Sequence, residues 1–139
     1  MSAFLWALVA ACFGGVAAVM EKVGLGGTSP FVGMMVRSVG VVIGVLVLGF
    51  IGAPWSGIRT LSWSSAILLV GGGFLGSVAG QLAFYHALKS SAVSQVAPVA
   101  GAFPLVAALL GWWLLREPLT VSRGLGMLCV VIGVMLLRK

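Results

Sequence analysis

The chain consists of long apolar segments separated by short polar interruptions. Carried through the whole sequence, this pattern gives five apolar segments, at approximately residues 3–25, 30–52, 63–88, 92–115 and 119–137. Each is close to the roughly 17 to 25 residues with which a helix crosses the hydrocarbon core of a bilayer. The segments do not alternate with period two, as strands of a membrane barrel do. We therefore predict an all-α integral membrane protein with five transmembrane helices, and a retained helix as its first segment.

The polar interruptions carry the residues expected at the ends of membrane helices. The first, around Gly27, is rich in Gly and Ser and ends at Pro30, a residue favoured in the first turn of a helix. The longest, residues 53–62, contains Trp55 and is predicted to be an interfacial loop with an aromatic anchor. The fifth segment is the weakest prediction, because Arg123 must reach an interface for that segment to span.

Composition supports a bilayer as the solvent of this chain. Hydrophobic residues make up 61% of the 139 residues and charged residues 7%, whereas soluble domains have about a quarter charged. The net charge of +6 comes from single, scattered Lys and Arg, which argues against nucleic-acid binding. The sequence has no nucleophile–base pair, metal-ligand cluster or phosphate loop. We therefore expect no enzyme, no metal and no cofactor.

The charges flanking the five segments are almost balanced between the two sides of the membrane. One side collects Arg59, Arg116 and Arg123; the other collects Lys22, Lys89, Arg138 and Lys139, with Arg37 deeper beneath it. A lopsided count of basic residues normally fixes orientation. Either the chain inserts in both orientations and pairs antiparallel, or a partner or other details orient it.

The C-terminal half carries an ordered set of motifs. These are Ala87-Leu-Lys-Ser-Ser-Ala-Val-Ser-Gln-Val-Ala-Pro98, then Phe103-Pro104, then Arg116-Glu117-Pro-Leu-Thr120, and finally Gly126 to Gly133. The set resembles the EamA-type repeat of the drug/metabolite transporter superfamily: a small-residue turn, a proline-containing fourth helix, a Glu followed by Leu-Thr, and a glycine-bearing last helix. The Gly-rich first helix ending in Lys22 fits more loosely.

The resemblance covers nearly the whole chain, so residues 1–139 are expected to form a single EamA-like transmembrane domain. Typical members carry two such repeats in inverted topology, with the substrate cavity between them. The resemblance thus implies a half-size transporter in a bacterial or archaeal plasma (inner) membrane, moving a small metabolite or lipid-linked molecule by alternating access as a homodimer. The alternative is a non-transporting subunit packed against a larger membrane complex, since fold alone does not settle function.

Polar residues within the apolar segments are the candidates for substrate contact. Arg37 stands seven residues after Pro30, about 10 Å inside its helix, where a charge normally needs a partner. A hairpin around Gly27 brings Glu21 close to Arg37, with Lys22 on an adjacent face. This group is either a structural ion pair that locks the hairpin or a contact for a substrate or lipid phosphate.

Two further segments contain polar groups or helix breakers at depth. Gln81 and Tyr85 are four residues apart and share a helix face. They either form hydrogen bonds to neighbouring helices or make a polar strip that faces the substrate. In the fourth segment, Pro98 and Pro104 each remove a helix hydrogen bond, and Gln95 lies near the segment's start. That segment is predicted to be either a cavity wall with a hinge or a purely structural kink.

Overall fold

A computed structural model describes residues 2–52 and 56–137, apart from the side chains of Ser56 and Arg59. Every regular element in these residues is a helix. In chain order they are α1 (Ala3–Gly24), α2 (Pro30–Gly52), the short α3 (Ser56–Arg59), α4 (Trp63–Phe74), a π-helical segment (Leu75–Gly80), α5 (Gln81–Ser90), α6 (Val93–Ala100), α7 (Phe103–Leu114) and α8 (Val121–Leu136). The predicted all-helical fold is confirmed.

Among the described residues, four stretches of helix are long and apolar enough to cross a membrane. They are Ala3–Gly24, Pro30–Gly52, Trp63–Ser90 and Val93–Leu114. The fifth apolar helix, Val121–Leu136, has 16 residues and is shorter than the predicted segment, which began at residue 119. At 1.5 Å per residue it is about 24 Å long, several ångströms less than the roughly 30 Å hydrocarbon core.

By its internal contacts, the chain divides into two compact units. One unit comprises Val19–Ser90, and the other comprises Met1–Ala18 with Ser91–Lys139. In the Val19–Ser90 unit, α2 packs against α5. Its most buried side chains belong to the turn after α1 and to these two helices, namely Leu25, Met34, Tyr85 and Leu88.

The turn between α1 and α2 follows from its sequence. The Leu25 amide donates to the Glu21 carbonyl at 2.9 Å and extends the hydrogen bonding of α1 by one residue. Ser29 then caps α2, since its hydroxyl accepts the Val32 amide at 3.3 Å. Pro30, which has no amide hydrogen to donate, occupies the first position of α2. The hairpin predicted around Gly27 is thereby confirmed.

The third and fourth spans both contain irregular helix. In the third span, Leu75–Gly80 is a π-helix directly before α5. The fourth span is interrupted at Gly101 and Ala102, between α6 and α7, where the Ala102 amide donates to the Val99 carbonyl at 3.1 Å. Pro98 lies inside α6 and Pro104 lies in the first turn of α7. The interruption therefore falls between the two prolines that were predicted to kink this segment.

The start of α8 shows where Arg123 is placed. The Thr120 hydroxyl caps α8 by accepting the Arg123 amide at 3.4 Å. The guanidinium of Arg123 extends back along the chain and donates to the Pro118 carbonyl at 3.0 Å. The charge thus lies at the N-terminal end of α8, which is the arrangement that an interfacial arginine needs.

Parts of two predictions fall outside the described residues. These are the aromatic anchor Trp55 and the terminal basic pair Arg138 and Lys139. The remainder of the predicted loop over residues 53–62 contains one helical turn, Ser56–Arg59, so it is not irregular throughout. Ser62 then caps α4 by accepting the Ser65 amide at 3.1 Å.

Candidate functional site

Glu21 and Arg37 form an ion pair between α1 and α2. The Nε of Arg37 donates to Oε1 of Glu21 at 2.9 Å. The Arg37 side chain is 33% exposed, and the Glu21 side chain is 16% exposed. The contact predicted from the hairpin is confirmed. It arises because Glu21 lies close to the end of α1 and Arg37 lies two turns into α2, so the turn around Gly27 brings the two side chains to the same depth.

Two side chains of α5 complete the coordination of the Glu21 carboxylate. The Nε2 of Gln81 donates to Oε2 of Glu21 at 3.1 Å. Tyr85, one turn later and only 2% exposed, places its phenol close enough to interact with both Glu21 and Gln81. The shared face of Gln81 and Tyr85 is thus directed at Glu21. We call Glu21, Arg37, Gln81 and Tyr85 the polar cluster.

The polar cluster lies within the predicted membrane-spanning helices. Counted from the ends of α1, α2 and α5 at the hairpin turn, its members lie roughly 5 to 14 Å into their helices. Gly33 allows the close approach of α2 to Tyr85, since a Cβ at this position would lie 3.3 Å from the Tyr85 ring and 2.5 Å from a Leu25 methyl. Four polar groups at such depth are tolerated because they satisfy one another.

Two lysines lie near the turn end of the same unit. The ammonium of Lys22 donates to the Leu88 carbonyl in the last turn of α5. The ammonium of Lys89 donates to the Thr28 carbonyl at 2.7 Å. Lys22 and Lys89 themselves lie in the last turns of α1 and α5, where cations are favoured by the helix dipole. Lys22, a predicted substrate contact, therefore has a structural partner.

The other unit holds the remaining candidates. The Nε2 of Gln95 donates to the Leu137 carbonyl at 3.2 Å, which joins the start of α6 to the end of α8. A groove of about 410 Å³ is lined by residues of the interrupted helix, Gly101 and Pro104, together with Glu117 and Arg123. Irregular backbone is tolerated at membrane depth where protein or a cavity covers it. The groove therefore provides a physical reason for the interruption.

Glu117 lines this groove and also an adjoining one of about 480 Å³. Its amide donates to the Gly111 carbonyl at 3.2 Å, after Arg116 has turned the chain with a left-handed φ of 55°. The side chain of Glu117 forms no ion pair with any residue that the structure describes. The Arg123 guanidinium donates instead to the Pro118 carbonyl at 3.0 Å.

Metal ligands do not gather in the described part of the chain. No group of three His, Cys, Asp or Glu side chains is arranged to hold an ion there, and Cys12 and Cys129 are free and exposed thiols. The polar cluster contains a single carboxylate whose two oxygens already accept hydrogen bonds from protein groups. Such a cluster can bind and orient polar groups, but it offers no second base or nucleophile.

Sequence reasoning did not identify two features of these sites. The π-helical segment before Gln81 has no marker in the sequence beyond its small residues, Gly76 and Gly80, which are also compatible with close helix packing. The grooves beside Glu117 depend on the separation of α7 from the residues that follow it. The only indication of these grooves in the sequence is that Pro104 in the fourth segment is followed by charged residues before α8.

The comparisons with known proteins give a family. The model of the EamA-like transporter family matches residues 1–139. A comparison with curated proteins gave no match, and neither did a comparison with solved structures. The match agrees with the apolar, span-length helices found among the described residues and with the motif order of the C-terminal half. The chain is a multi-pass membrane protein of the transporter type and belongs to the EamA-like transporter family.

Proposed function

We propose that the 139-residue chain forms one repeat domain, residues 1–139, and that two copies work together as a half-size transporter. The pair moves a small metabolite or lipid-linked molecule across a bacterial or archaeal inner membrane by alternating access. No chemical step accompanies transport in this proposal. The observation that carries it is the polar cluster, which holds an ion pair and an amide inside the spans of a transporter-family protein.

The polar cluster is suited to substrate contact by its composition. Ionisable groups inside membrane spans are costly and commonly mark substrate pathways. We assign Arg37, Gln81 and Tyr85 to direct contact, and Glu21 to holding them in place. Lys22, at the turn end of the same unit, and Gln95, at the start of α6, are proposed to contact substrate as it enters or leaves.

The proposed hinge is the interruption between α6 and α7. The regular helix pattern continues to the Gly101 amide, which donates to the Ala97 carbonyl at 2.7 Å, but the Ala102 amide donates to the Val99 carbonyl at 3.1 Å instead. Pro104 then has no amide that could donate to the Ala100 carbonyl. Discontinuous membrane helices commonly line the sites of transporters, and a few such residues are able to absorb a change in backbone angles. Rotation at this point would open or close the groove that Pro104 lines.

Pairing of two copies is supported by the apolar surface and by the charges. Many large apolar side chains of the spans are more than half exposed, among them Val36, Ile43 and Leu68, and are available to lipid or to a second copy. The near balance of flanking charges is what an antiparallel pair of identical chains would need. Packing against unrelated membrane subunits would cover the same surface, so the experiment must separate the two.

Counterflow in proteoliposomes tests transport directly. Purified protein is reconstituted, and exchange is measured for a panel of amino acids, sugars, organic acids and lipid-linked sugars. We expect exchange of at least one class, loss of that exchange in Gln81→Leu, and retention in Gly40→Ala, since a methyl group at Gly40 would meet nothing within 4 Å. Absence of exchange across the panel, together with stable co-purification of other membrane proteins, would favour the subunit role.

Orientation and pairing are tested in cells. A single cysteine is introduced as Lys139→Cys in a chain that carries Cys12→Ala and Cys129→Ala, and it is labelled with a membrane-impermeant maleimide before and after permeabilisation. Dual insertion predicts labelling of about half the chains in intact cells, and cross-linking should then give a dimer. Labelling from one side only would rule out an antiparallel homodimer formed by dual insertion.

A further inference from the structure

Arg37 uses only one edge of its guanidinium within the polar cluster. Its Nε donates to Glu21, whereas its two terminal nitrogens have no hydrogen-bond partner among the residues that the structure describes. Those nitrogens carry four N–H donors in a fixed planar fork. The Arg37 side chain is 33% exposed and is therefore not enclosed by the protein.

Within the polar cluster, Glu21 accepts from the Nε of Arg37 and not from that fork. One of its oxygens accepts from Arg37 Nε, and the other accepts from Gln81 Nε2 at 3.1 Å. Turning the carboxylate to face the terminal nitrogens of Arg37 would break the bond from Gln81. The cluster therefore holds the guanidinium by one edge and leaves its opposite edge open.

The unit around the polar cluster has an excess of positive charge. Within Val19–Ser90 the sequence contains four basic residues, Lys22, Arg37, Arg59 and Lys89, against one acid, Glu21. The ammonium groups of Lys22 and Lys89 each donate to a backbone carbonyl, which is a neutral group. A bound anion would lower this excess charge, whereas a bound cation would raise it.

From these observations we infer that the open edge of Arg37 binds a group with two adjacent anionic oxygens, a carboxylate or a phosphate, carried by the substrate. This rests on the proposed transport function and adds the substrate's chemical class. A planar guanidinium recognises such groups by two parallel hydrogen bonds, which the ammonium of lysine does not reproduce. The same chemistry is offered by a soluble acid or phosphate and by the headgroup of an anionic lipid.

Binding is measured in nanodiscs of phosphatidylcholine, with inorganic phosphate and benzoate as probes in equilibrium dialysis. We expect the native chain to bind at least one probe. Arg37→Lys keeps the charge and loses the fork, so affinity should fall about tenfold, the value of one charged hydrogen bond. Glu21→Gln keeps an oxygen acceptor for Arg37 and removes the competing negative charge, so affinity should rise by at least about tenfold.

The paired variants separate ligand binding from a role in folding. If Arg37 is purely structural, Glu21→Gln should not raise the affinity for the probes. If Arg37 binds an anion, Glu21→Gln should raise that affinity even where the variant is less stable. Circular dichroism and gel filtration establish that each variant is folded. Binding of neither probe by the native chain, or equal affinities in all three chains, would overturn the inference.

The source of the anion and the transport function are tested by separate arms. Replacing part of the phosphatidylcholine by phosphatidylglycerol should weaken probe binding if the site takes lipid headgroups, and should leave it unchanged if the site takes soluble anions. Probe binding without counterflow of any anionic substrate would retain the site and overturn transport. Counterflow confined to neutral or cationic substrates, without probe binding, would retain transport and overturn the anion site.

Discussion

Removal of the Glu21 carboxylate is the most direct test of what holds the Val19–Ser90 unit together. Glu21→Ala takes away the acceptor for Arg37 at 2.9 Å and for Gln81 at 3.1 Å. Arg37 is then left inside a membrane span with no other carboxylate in its unit. The charge of Arg37 and the amide of Gln81 both lose a partner in this one change.

The expected cost follows from the burial of the two partners. Breaking a buried ion pair by removing one member costs about 3–5 kcal/mol, and a hydrogen bond to a charged group contributes about 1.5–3 kcal/mol. The Glu21 side chain is 16% exposed but that of Arg37 is 33% exposed, so water or headgroups recover part of the loss. We expect the free energy of unfolding to fall by about 2–4 kcal/mol.

Reversible unfolding in mixed micelles of sodium dodecyl sulfate and a mild detergent, followed by circular dichroism, measures this change. The matched control is Glu117→Ala, which removes the chain's other acidic side chain. Glu117 is exposed and forms no ion pair with a described residue, so the substitution should change the free energy of unfolding by less than about 0.5 kcal/mol. The double variant Glu21→Ala with Arg37→Leu should be more stable than Glu21→Ala alone. The reasoning would be refuted if Glu21→Ala were as stable as the native chain, or if the losses of the two substitutions were simply additive in the double variant.

Two further substitutions test local features of the fold by the same unfolding assay. Gly33→Leu should destabilise the unit by at least about 2 kcal/mol, because its Cβ would lie 3.3 Å from the Tyr85 ring and the rest of its side chain would displace that ring. The control Gly40→Leu enters open space and should be nearly neutral. Equal effects of the two variants would contradict this packing. Arg116→Gly should stabilise the chain by about 0.5–1 kcal/mol, because glycine adopts the left-handed φ of 55° without strain. Arg116→Ala should not stabilise it. A gain in stability in both variants would show that loss of the charge, and not relief of the backbone, is responsible.

The helical architecture was accessible from the sequence because it depends on local properties. Apolar segments of near-membrane length predict spans wherever they occur, and Ser29-Pro30 marks the start of α2 by capping chemistry that involves neighbouring residues only. The fifth segment was the least secure for the same reason. Its length depends on where Thr120 caps the helix, and that shortened it to Val121–Leu136.

The Glu21–Arg37 contact was also accessible, since a hairpin with a short turn leaves little freedom in the register of two adjacent helices. The contribution of α5 was not. Gln81 reaches Glu21 through the packing of α5 against α2, and a π-helical segment precedes Gln81. This packing depends on contacts between residues far apart in the chain, which the local pattern does not contain.

By itself, the sequence determined that this protein lies in a membrane as packed helices, because burial of apolar side chains and satisfaction of backbone hydrogen bonds in lipid leave few other solutions. It also determined which charges stand inside the spans and need partners. How those partners are shared depends on the packing of α5, which the local pattern does not contain. Glu21 accepts from the Nε of Arg37 with one oxygen and from Gln81 with the other, and the terminal nitrogens of the guanidinium have no hydrogen-bond partner among the described residues.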